Sequence, residues 1–380
     1  MTFKLSEKDK RKARRESASK LQSAKQKAEH ELQQKLKNPI FKIQLEIDKL
    51  KDSLMVIDFD IKTGNYDINM LRNKRVNVEI EIKELEWELE QIKNNNLIIG
   101  GGITGLIIAF YTGKTIISKN VGGQLSSWSL GPRFLHNNKH TIDLLKKLNV
   151  AFKKKTLNIG FYDERFVDFS EDFRQKYYQK TRKTETKYIK SSMSSGKSKL
   201  NILEIDFKEL IDKLVENVTI IKKDVKAIDC MAKTLTLDTG ELTAYNSLIV
   251  TIPITTFQEL SKIKFGDFKY LPKTFILTDS KFDIKDFDYV YFAGNKPWHR
   301  ITKLCDKQIF EFVGNDVDSL IKDELNILDM KHLKTGQILN SGIKIKKLED
   351  IEFVGRYAEW NHDRLIHDVI KRFMNEQKCI

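Results

Sequence analysis

The stretch "LIIGGGITGLIIAF", residues 97–110, constrains the fold of this chain most strongly. Gly100, Gly102 and Gly105 form a G-x-G-x-x-G pattern between an apolar segment of strand character and an apolar segment of helix character. In such a turn the first glycine allows the tight bend, the second lets the backbone approach a pyrophosphate, and the third lets helix and strand pack closely. The helix N-terminus then faces the phosphates. The stretch therefore predicts a dinucleotide-binding α/β domain that begins near residue 97.

The residues before this turn are highly charged and have helical patterns. Residues 1–37 carry twelve basic and five acidic side chains and contain neither Pro nor Gly. Asn38-Pro39 then interrupts any helix, because Pro lacks an amide donor and disfavours helical backbone in the residue before it. We expect residues 1–37 to form a basic helical segment.

Apolar residues recur three or four positions apart over residues 41–93, which places them on one helical stripe. The members of this seam are Ile43, Ile47, Leu50, Leu54, Ile57, Ile61, Ile68, Leu71, Val78, Ile82, Leu85, Leu89 and Ile92. Gly64 and Arg75 occupy seam positions and weaken it. The unbroken register favours one long helix in an oligomeric coiled coil. The alternative is an antiparallel hairpin that turns at "KTGNYD", residues 62–67.

Net charge and cysteine content limit the binding partners and the cellular location expected for the chain. The formal net charge over 380 residues is +14, which favours an anionic partner such as nucleic acid, a phosphorylated substrate or an acidic membrane surface. Cys230, Cys305 and Cys379 lie far apart and fit neither a disulfide framework nor a zinc site. We expect a cytoplasmic protein with no signal peptide and no membrane span.

Several motifs follow one another in an order that resembles a known family. After the glycine turn comes a strand at 114–118 that is followed by Gly122-Gly123. The segment "LGPRFLHNNKH" resembles a "GPHxFHT" pattern, with Arg133 in place of its first histidine and His136 at its second. Three later stretches are "TLNIGFYDERFVDF", "KTLTLDTGELTAYNSLIVTIPITTFQEL" with a hairpin turn at 238–241, and "DYVYFAGNKPWHRITKL". The closing stretch is "EFVGRYAEWNHDRLIHDVIKRF".

Together these motifs resemble the FAD-dependent superfamily that includes amine oxidases, protoporphyrinogen oxidase and UDP-galactopyranose mutase. The resemblance covers about residues 97–372 and implies an α/β fold: an FAD/NAD(P)-binding Rossmann-like domain with a small mixed α+β substrate domain, preceded here by the α-helical coiled coil. The predicted segments are 1–38 (basic helix), 39–96 (coiled coil or hairpin), 97–150, 216–260 and 341–380 (FAD-binding domain), and 151–215 and 261–340 (substrate domain).

The resemblance also implies roles for individual residues. It implies FAD as the cofactor, with His136 beside the flavin, Arg356 near the pyrophosphate and Arg300 in the substrate cleft. The cofactor-binding candidates are Gly100, Gly102, Gly105, Gly122, Gly123, Gly355 and Arg356. The catalytic candidates are His136 and Arg300, and the substrate-binding candidates are Arg133, Trp298, Arg300 and Trp360. Each of these side chains could instead have a structural role. The arginines could be ion-paired, the histidine hydrogen-bonded, and the tryptophans packed in the core.

Two sequence features depart from the family. The family's acidic residue at the end of the second strand binds the adenosine ribose, but this chain has Ser118-Lys119-Asn120 there. The spacing from Gly100 to Gly122 is also short, so the first helix is expected to be short. His362 and His367 lie near two aspartates, but we predict a solvated helix end there and no metal site.

Residues 174–199 hold nine basic residues, one acid and three interleaved tyrosines. Such a stretch suits single-stranded nucleic acid or a nucleotide-like anion, or it is a solvated basic loop. Three functions stay open. The first is an FAD-dependent oxidoreductase or flavin mutase that acts on an anionic substrate, nucleotide-linked or attached to nucleic acid. The second is a scaffold on a degenerate FAD fold, and the third is a nucleic-acid-binding protein that uses residues 1–37 and 174–199.

Overall fold

In the computed structural model, the residues described are 26, 39–64, 67–125, 134–182, 198–314, 317, 325–339, 343–361 and 363–376. The chain divides into two compact units, and each is built from two separate stretches of sequence. The first unit comprises the chain up to Asn96 and residues Val225–Ser247. The second comprises Leu97–Asp224 and Leu248–Ile380. The finer division of residues 97–380 stays a prediction.

Helices and strands alternate along the described residues in an order typical of an α/β chain. In sequence they are α1 (Pro39–Thr63), α2 (Ile68–Asn94), β1 (Asn96–Gly102), α3 (Ile103–Thr112), β2 (Thr115–Gly122), β3 (Leu135–His136), α4 (Lys139–Lys147), β4 (Phe152–Asp163), β5 (Arg165–Val167), α5 (Glu171–Arg182), β6 (Lys199–Ile205), α6 (Phe207–Glu216), β7 (Ile220–Ile221), β8 (Val225–Asp229), β9 (Thr234–Leu237), β10 (Leu242–Ala244), β11 (Ser247–Val250), α7 (Ile254–Ser261), β12 (Tyr270–Thr278), β13 (Tyr289–Phe292), β14 (Arg300–Leu304), β15 (Lys307–Val313), β16 (Ile327–Ile338), β17 (Ile351–Phe353) and α8 (Ile366–Glu376).

The first unit contains a hairpin of two helices, α1 and α2. Gly64, with φ +70°, follows the end of α1. The Asp67 side chain caps α2, because it accepts a hydrogen bond from the backbone N–H of Asn69 at 2.9 Å. The prediction of one long helix is therefore wrong, and the hairpin alternative is confirmed; association through a coiled coil between chains stays a prediction. Among the described residues, no helix is both long enough and apolar enough to cross a membrane.

The predicted seam forms the contact between α1 and α2. Arg75, at a weak seam position, lies half-exposed and pairs with Asp58 of α1 at 2.8 Å and with Glu79 at 2.7 Å. Ile68, the first residue of α2, is exposed instead of joining the seam. The remaining seam residues include six that are buried: Ile43, Ile47, Ile57, Leu71, Ile82 and Leu89. A charged residue in the seam is thus accommodated by ion pairs at its edge.

The same unit contains a small antiparallel sheet of β8, β9 and β10. The predicted hairpin turn at 238–241 joins β9 to β10, with Gly240 at φ +82°. Two side-chain hydrogen bonds connect the end of the helical hairpin to this stretch of chain. The Asn95 side chain donates to the Ala244 carbonyl at 2.5 Å, and Ser247 Oγ donates to Asn96 Oδ1 at 2.6 Å.

The second unit contains the predicted parallel sheet, in the strand order β17-β11-β1-β2-β7. The pairs β1–β2, β2–β7 and β11–β17 are parallel. The buried residues of β1 and β2, such as Ile98 and Ile116, are apolar because the strands of a parallel sheet are covered on both faces. Residues of α3, α4, α6 and α8 share one hydrophobic cluster with them, which includes Ile98, Leu106, Ile116, Leu210 and Ile370. The α/β fold class is confirmed.

The second unit also contains a mixed sheet of nine strands. Its order is β16-β12-β15-β14-β13-β4-β6-β3, and β5 pairs with β4. The strand pairs of this sheet are antiparallel except that of β4 with β13. The predicted strand–turn–strand at "TLNIGFYDERFVDF" is β4 and β5. This sheet carries Arg300 on β14 and His136 on β3, and so it sets the distance between the two catalytic candidates.

Candidate dinucleotide-binding site

The β1–α3 turn has the backbone geometry that its glycines predict. Gly100 has φ +110°, and a Cβ atom there would lie 2.5 Å from Thr251 Oγ1. A Cβ atom on Gly105 would lie 2.0 Å from the carbonyl oxygen of Gly100, which is far closer than van der Waals contact. Around Gly102, by contrast, no heavy atom lies within 4 Å of the Cβ position. The first and third glycines are thus enclosed, while the second faces open space where a ligand can approach.

The N-terminus of α3 lies beside this open space. Its cap residue is Gly102, which has no side chain that could accept a hydrogen bond, and its first turn contains no acidic residue. The first amide groups of a helix have no partner within the helix, and the helix dipole adds positive potential there. The end of α3 therefore suits an anion.

Two later glycine loops meet this helix end. A Cβ atom on Gly123 would lie 3.2 Å from the Cα atom of Gly102, and one on Gly355 would lie 3.1 Å from Thr104 Cγ2. Gly122, Gly123 and Gly355 all have left-handed φ angles, at +82°, +55° and +102°. Three segments that are distant in sequence therefore converge on the first turn of α3, and each approaches it through glycine.

The loop after Gly355 is held by a carboxylate that sequence reasoning missed. Glu359 Oε1 accepts the backbone N–H of Gly355 at 3.1 Å, and its Oε2 accepts Arg364 Nε at 2.5 Å. Arg356 Nε donates to the Arg364 carbonyl at 3.3 Å. A sequence signal for this carboxylate was available, since Glu359 follows Gly355 by four residues and Gly355 stands just before a turn. This network fixes Arg356 next to the glycine that contacts α3.

His136 lies close to Arg356 in this structure. Its strand β3 pairs with β6, and its ring is half-buried 5.5 Å, centroid to centroid, from the ring of His367 on α8. Burial lowers the pKa of His136, and the charges of His367 and Arg356 lower it further, while Asp368 opposes the shift. His136 is therefore a neutral imidazole near pH 7.

Arg300 lies elsewhere and is buried in an ion-pair cluster. Its guanidinium pairs with Glu311, whose side chain is fully buried, and it stacks 4.9 Å from the ring centroid of Tyr289. Lys273 Nζ and His299 Nε2 lie 3.9 and 3.6 Å from Glu311 Oε2. Burial lowers the pKa of His299 well below its usual value, and Lys273 and Arg300 add to this. The cluster therefore places the Arg300 guanidinium and the Lys273 amine around one buried carboxylate.

The two catalytic candidates are well separated within the mixed sheet. The strands of Arg300 and His136, β14 and β3, are four strand spacings apart. Through these pairings Arg300 is aligned with Phe161 of β4 and His136 with Lys155, six residues or roughly 20 Å apart along that strand. One small reacting group cannot contact both side chains at that distance.

The other predicted substrate residues are used differently or lie outside the described residues. Trp298 packs edge-on against Phe310, with ring centroids 4.8 Å apart, and is 7% exposed. Trp360 is fully buried, with its ring centroid 5.0 Å from that of Phe268. Both rings therefore serve packing. Arg133 lies outside the described residues, as do Gly131, Pro132 and His362.

The end of β2 shows what replaces the missing ribose carboxylate. Ser118 Oγ donates to the Asn120 carbonyl at 2.7 Å, and a Cβ atom on Gly101 would lie 2.6 Å from that carbonyl oxygen. The strand β2 continues to Gly122, beyond its predicted end at 118. The Ser118 hydroxyl is thus engaged with the backbone, and Lys119 and Asn120 are exposed.

The basic stretch 174–199 is described only in part. Tyr177 and Tyr178 are 8% and 9% exposed and pack in a cluster with Phe173 and Tyr291. Lys176 pairs with Asp163 at 2.9 Å. These two tyrosine rings are therefore not presented to solvent for base stacking. The remaining residues, 183–197, lie outside the described part of the chain.

This parallel sheet, with its glycine turn and open helix end, has the form of a dinucleotide-binding α/β fold. Within that class, the chain is similar to the crystal structure of reduced UDP-galactopyranose mutase, with a TM-score of 0.56 and 14% identity over 75% of this chain and 94% of that one. An oxidoreductase from Methanosarcina mazei matches with a TM-score of 0.53 and 10% identity over 74% of this chain and 99% of that one. A conjugated-linoleic-acid (CLA)-producing fatty acid isomerase from P. acnes also matches at 0.53, with 10% identity over 76% and 99%.

At these identities the likeness shows the fold alone. It confirms the predicted α/β fold of a dinucleotide-binding type. No protein-family profile matches the sequence. No curated protein matches it either.

Proposed function

We propose that the chain binds FAD non-covalently and is a flavin-dependent enzyme that acts on an anionic substrate. The observation that carries the proposal is the meeting of three glycine loops at the open N-terminus of α3, around Gly102, Gly123 and Gly355. The fold likeness supports it, because one similar structure is a UDP-galactopyranose mutase and another is an oxidoreductase. A redox reaction and a mutase-type rearrangement are both compatible with this site.

The residues present fit the phosphate part of FAD well. The open side of Gly102 and the uncapped amides of α3 would hold the pyrophosphate, and Arg356 would add a positive charge. The ribose part fits less well, because Ser118 stands where the family has a carboxylate and its hydroxyl already donates to Asn120. We therefore expect FAD to bind mainly through its pyrophosphate.

When bound, the flavin would supply the electron transfer, and the chain's own side chains would position the substrate. His136 would be neutral, so that it can donate one hydrogen bond and accept another. Arg300 is positioned by Glu311 and Tyr289, which fix the plane of its guanidinium. Because His136 and Arg300 lie four strands apart, we propose an extended substrate, such as a nucleotide-linked one, whose anionic end reaches Arg300.

A second candidate function is a non-catalytic scaffold on the same fold. The observation that favours it is the end of β2, where Ser118, Lys119 and Asn120 provide no carboxylate for a ribose. A scaffold needs no cofactor, whereas the enzyme must hold one. Occupancy by FAD therefore separates the two candidates.

The test is the absorbance spectrum of the purified chain, followed by titration with FAD and mass analysis of the ligand that heat releases. We expect flavin absorbance and released FAD for the unchanged chain. The variant Gly102→Ala places a methyl group in the open space without touching the protein, so it should fold normally and bind FAD at least about tenfold more weakly. Gly266→Ala is the matched control, because its new Cβ meets Ile343 at an ordinary 3.4 Å. A colourless chain that binds no added FAD would favour the scaffold.

A further inference from the structure

The loop between β17 and α8 contains a strained residue beside the candidate site. Trp360 has φ +50°, in the left-handed region, and its side chain is fully buried. A bulky residue with a positive φ is uncommon, and glycine is the usual residue where a turn ends in this conformation. Strained backbone persists only where the surrounding structure holds it, and it occurs often at functional sites. The loop that carries Trp360 is therefore a candidate for a role beyond packing.

The Trp360 ring ties this loop to the mixed sheet. Its centroid lies 5.0 Å from that of Phe268 and 6.2 Å from that of Tyr270, the first residue of β12. A second anchor is the backbone N–H of Ile254, which donates to the Tyr357 carbonyl at 3.0 Å. Burial of the large ring offsets the strain of its backbone and fixes where the loop lies.

Two backbone hydrogen bonds give the loop its shape. The N–H of Glu359 donates to the Gly355 carbonyl at 2.8 Å, and the N–H of Asn361 donates to the Arg356 carbonyl at 2.9 Å. These bonds span four and five residues, and the left-handed residue Trp360 reverses the chain between them, as glycine does at the end of a helix. The conformation of Trp360 therefore determines the shape of the turn that begins with Gly355 and Arg356.

Arg356 is the residue whose side chain this turn orients. Its Nε donates to the Arg364 carbonyl, and Arg364 is itself held by Glu359, which also accepts the N–H of Gly355. Within the part of the chain that the structure describes, no carboxylate pairs with the half-buried Arg356 guanidinium. Its two terminal nitrogens are thus left for an anion, and bidentate binding of a phosphate requires the guanidinium plane to be fixed.

We propose that Trp360 and Glu359 are positioning residues for the anionic ligand of this site. They set the place and the orientation of Arg356 beside the first turn of α3, and through Arg356 they determine how tightly a diphosphate is bound. This inference rests on the proposed function in one respect, the diphosphate between α3 and Arg356, and it does not require the flavin.

Calorimetric titration of the full chain with ADP tests the role of Glu359, because ADP contains the diphosphate without the flavin. Glu359→Ala removes both side-chain hydrogen bonds, and we expect ADP to bind at least about tenfold more weakly. Glu359→Gln keeps an oxygen that can accept the N–H of Gly355, and it should stay within about threefold of the unchanged chain. Glu349→Ala, at an exposed glutamate of the same unit, is the matched control and should leave ADP affinity unchanged.

Two features of this titration separate positioning from a general effect on the fold. Removal of a negative charge near the site would by itself strengthen the binding of an anion, so a loss of affinity in Glu359→Ala reports the position of Arg356. In an Arg356→Met chain, Glu359→Ala should cause no further loss, because Glu359 acts through Arg356. Additive losses would overturn the proposal.

Substitutions of Trp360 test the ring separately from the backbone. Trp360→Phe keeps an aromatic anchor and should retain most of the ADP affinity. Trp360→Gly relieves the backbone strain but removes the anchor, and ADP should bind at least about tenfold more weakly. Circular dichroism shows whether each chain is folded, and the Glu359 variants decide the question if Trp360→Gly does not fold. A folded Trp360→Gly chain that binds ADP as tightly as the unchanged chain would overturn the role of the ring.

The outcomes distinguish this proposal from the proposed function. Equal ADP affinity in Glu359→Ala and the unchanged chain, with FAD bound by both, would contradict the positioning role alone. ADP binding that depends on Glu359 and Trp360, in a chain that binds no FAD, would support the positioning role and contradict the flavin. A chain that binds neither ligand would overturn both proposals.

Discussion

The helical hairpin and the glycine turn respond to substitution in opposite ways. In the hairpin, the seam contains an arginine, and Arg75 is accommodated by turning to Asp58 and Glu79 at the edge. In the turn, even one methyl group on Gly105 would lie 2.0 Å from a backbone carbonyl. Contacts between side chains can repack, whereas contact between two backbone segments leaves no adjustable atom. The turn therefore tolerates far less change than the hairpin.

The sharpest test of this contrast is Gly105→Ala. The new methyl group must push α3 away from β1, which we expect to lower the free energy of unfolding of the second unit by about 3 kcal/mol or more and to abolish FAD binding. Urea unfolding and an FAD titration measure the two effects. Gly266→Ala serves as the control, and a Gly105→Ala chain of unchanged stability would show that the turn adapts as the hairpin does.

The corresponding change in the hairpin is Ile47→Ala. Ile47 is 1% exposed in the seam, and the cavity left by the truncation should cost about 3 kcal/mol of hairpin stability. We expect FAD affinity to be unchanged, because the glycine loops are untouched. Helical circular dichroism in urea measures the first effect. Loss of FAD binding together with the hairpin would mean that the two regions unfold as one.

A smaller effect is expected at the turn of the hairpin. Asp67→Ala removes the cap that accepts the backbone N–H of Asn69, which should lower hairpin stability by about 1 kcal/mol. Asp67→Asn should retain most of that stability, because an amide oxygen also caps well. If the alanine and asparagine chains melted together, the cap would have no part in setting the turn.

The last expected effect is a pH dependence in the stability of the second unit. Because the pKa of His136 is lowered in the folded chain, the unfolded chain binds a proton first as the pH falls below about 6.5. Above that pH His136 contributes nothing to the pH dependence of stability. Below it, the free energy of unfolding should fall as the pH falls, by at most about 1.4 kcal/mol per pH unit. The free energy of unfolding, measured in urea between pH 5 and 7, should change more steeply with pH for the unchanged chain than for His136→Gln. Equal slopes would place the imidazole in water.

The parts of the fold that sequence predicted depend on short-range signals. The glycine turn, the short helix α3 that follows it and the turn at 238–241 are each determined by a few neighbouring residues, and each has the predicted form. The hairpin was not decided by sequence, because the heptad register continues across the turn by coincidence of its length. Gly64 and the Asp67 cap indicate a break, but only the packing of Ile47 against α2 decides for it.

The residues that sequence missed are recognised through contacts that form only in the folded chain. Glu311 is recognised only once β14 and β15 pair and bring it to Arg300. His367 belongs with His136 because α8 and β3 meet in space, although 231 residues separate them in sequence. The tryptophans show the reverse case. Trp298 and Trp360 are of a residue type that often binds ligands. Their burial, however, depends on packing that no local sequence pattern indicates.

The chain enters the first unit twice, and this has a genetic consequence. Residues Val225–Ser247 fold with the N-terminal helices although they are encoded between two strands of the parallel sheet. A deletion that stops at codon 96 would remove the Asn95 amide from Ala244 and would leave β8–β10 without their helical neighbours. To remove this unit whole, a gene must therefore carry two deletions. One removes the N-terminal helices, and the other removes Val225–Ser247 and so shortens the connection between β7 and β11.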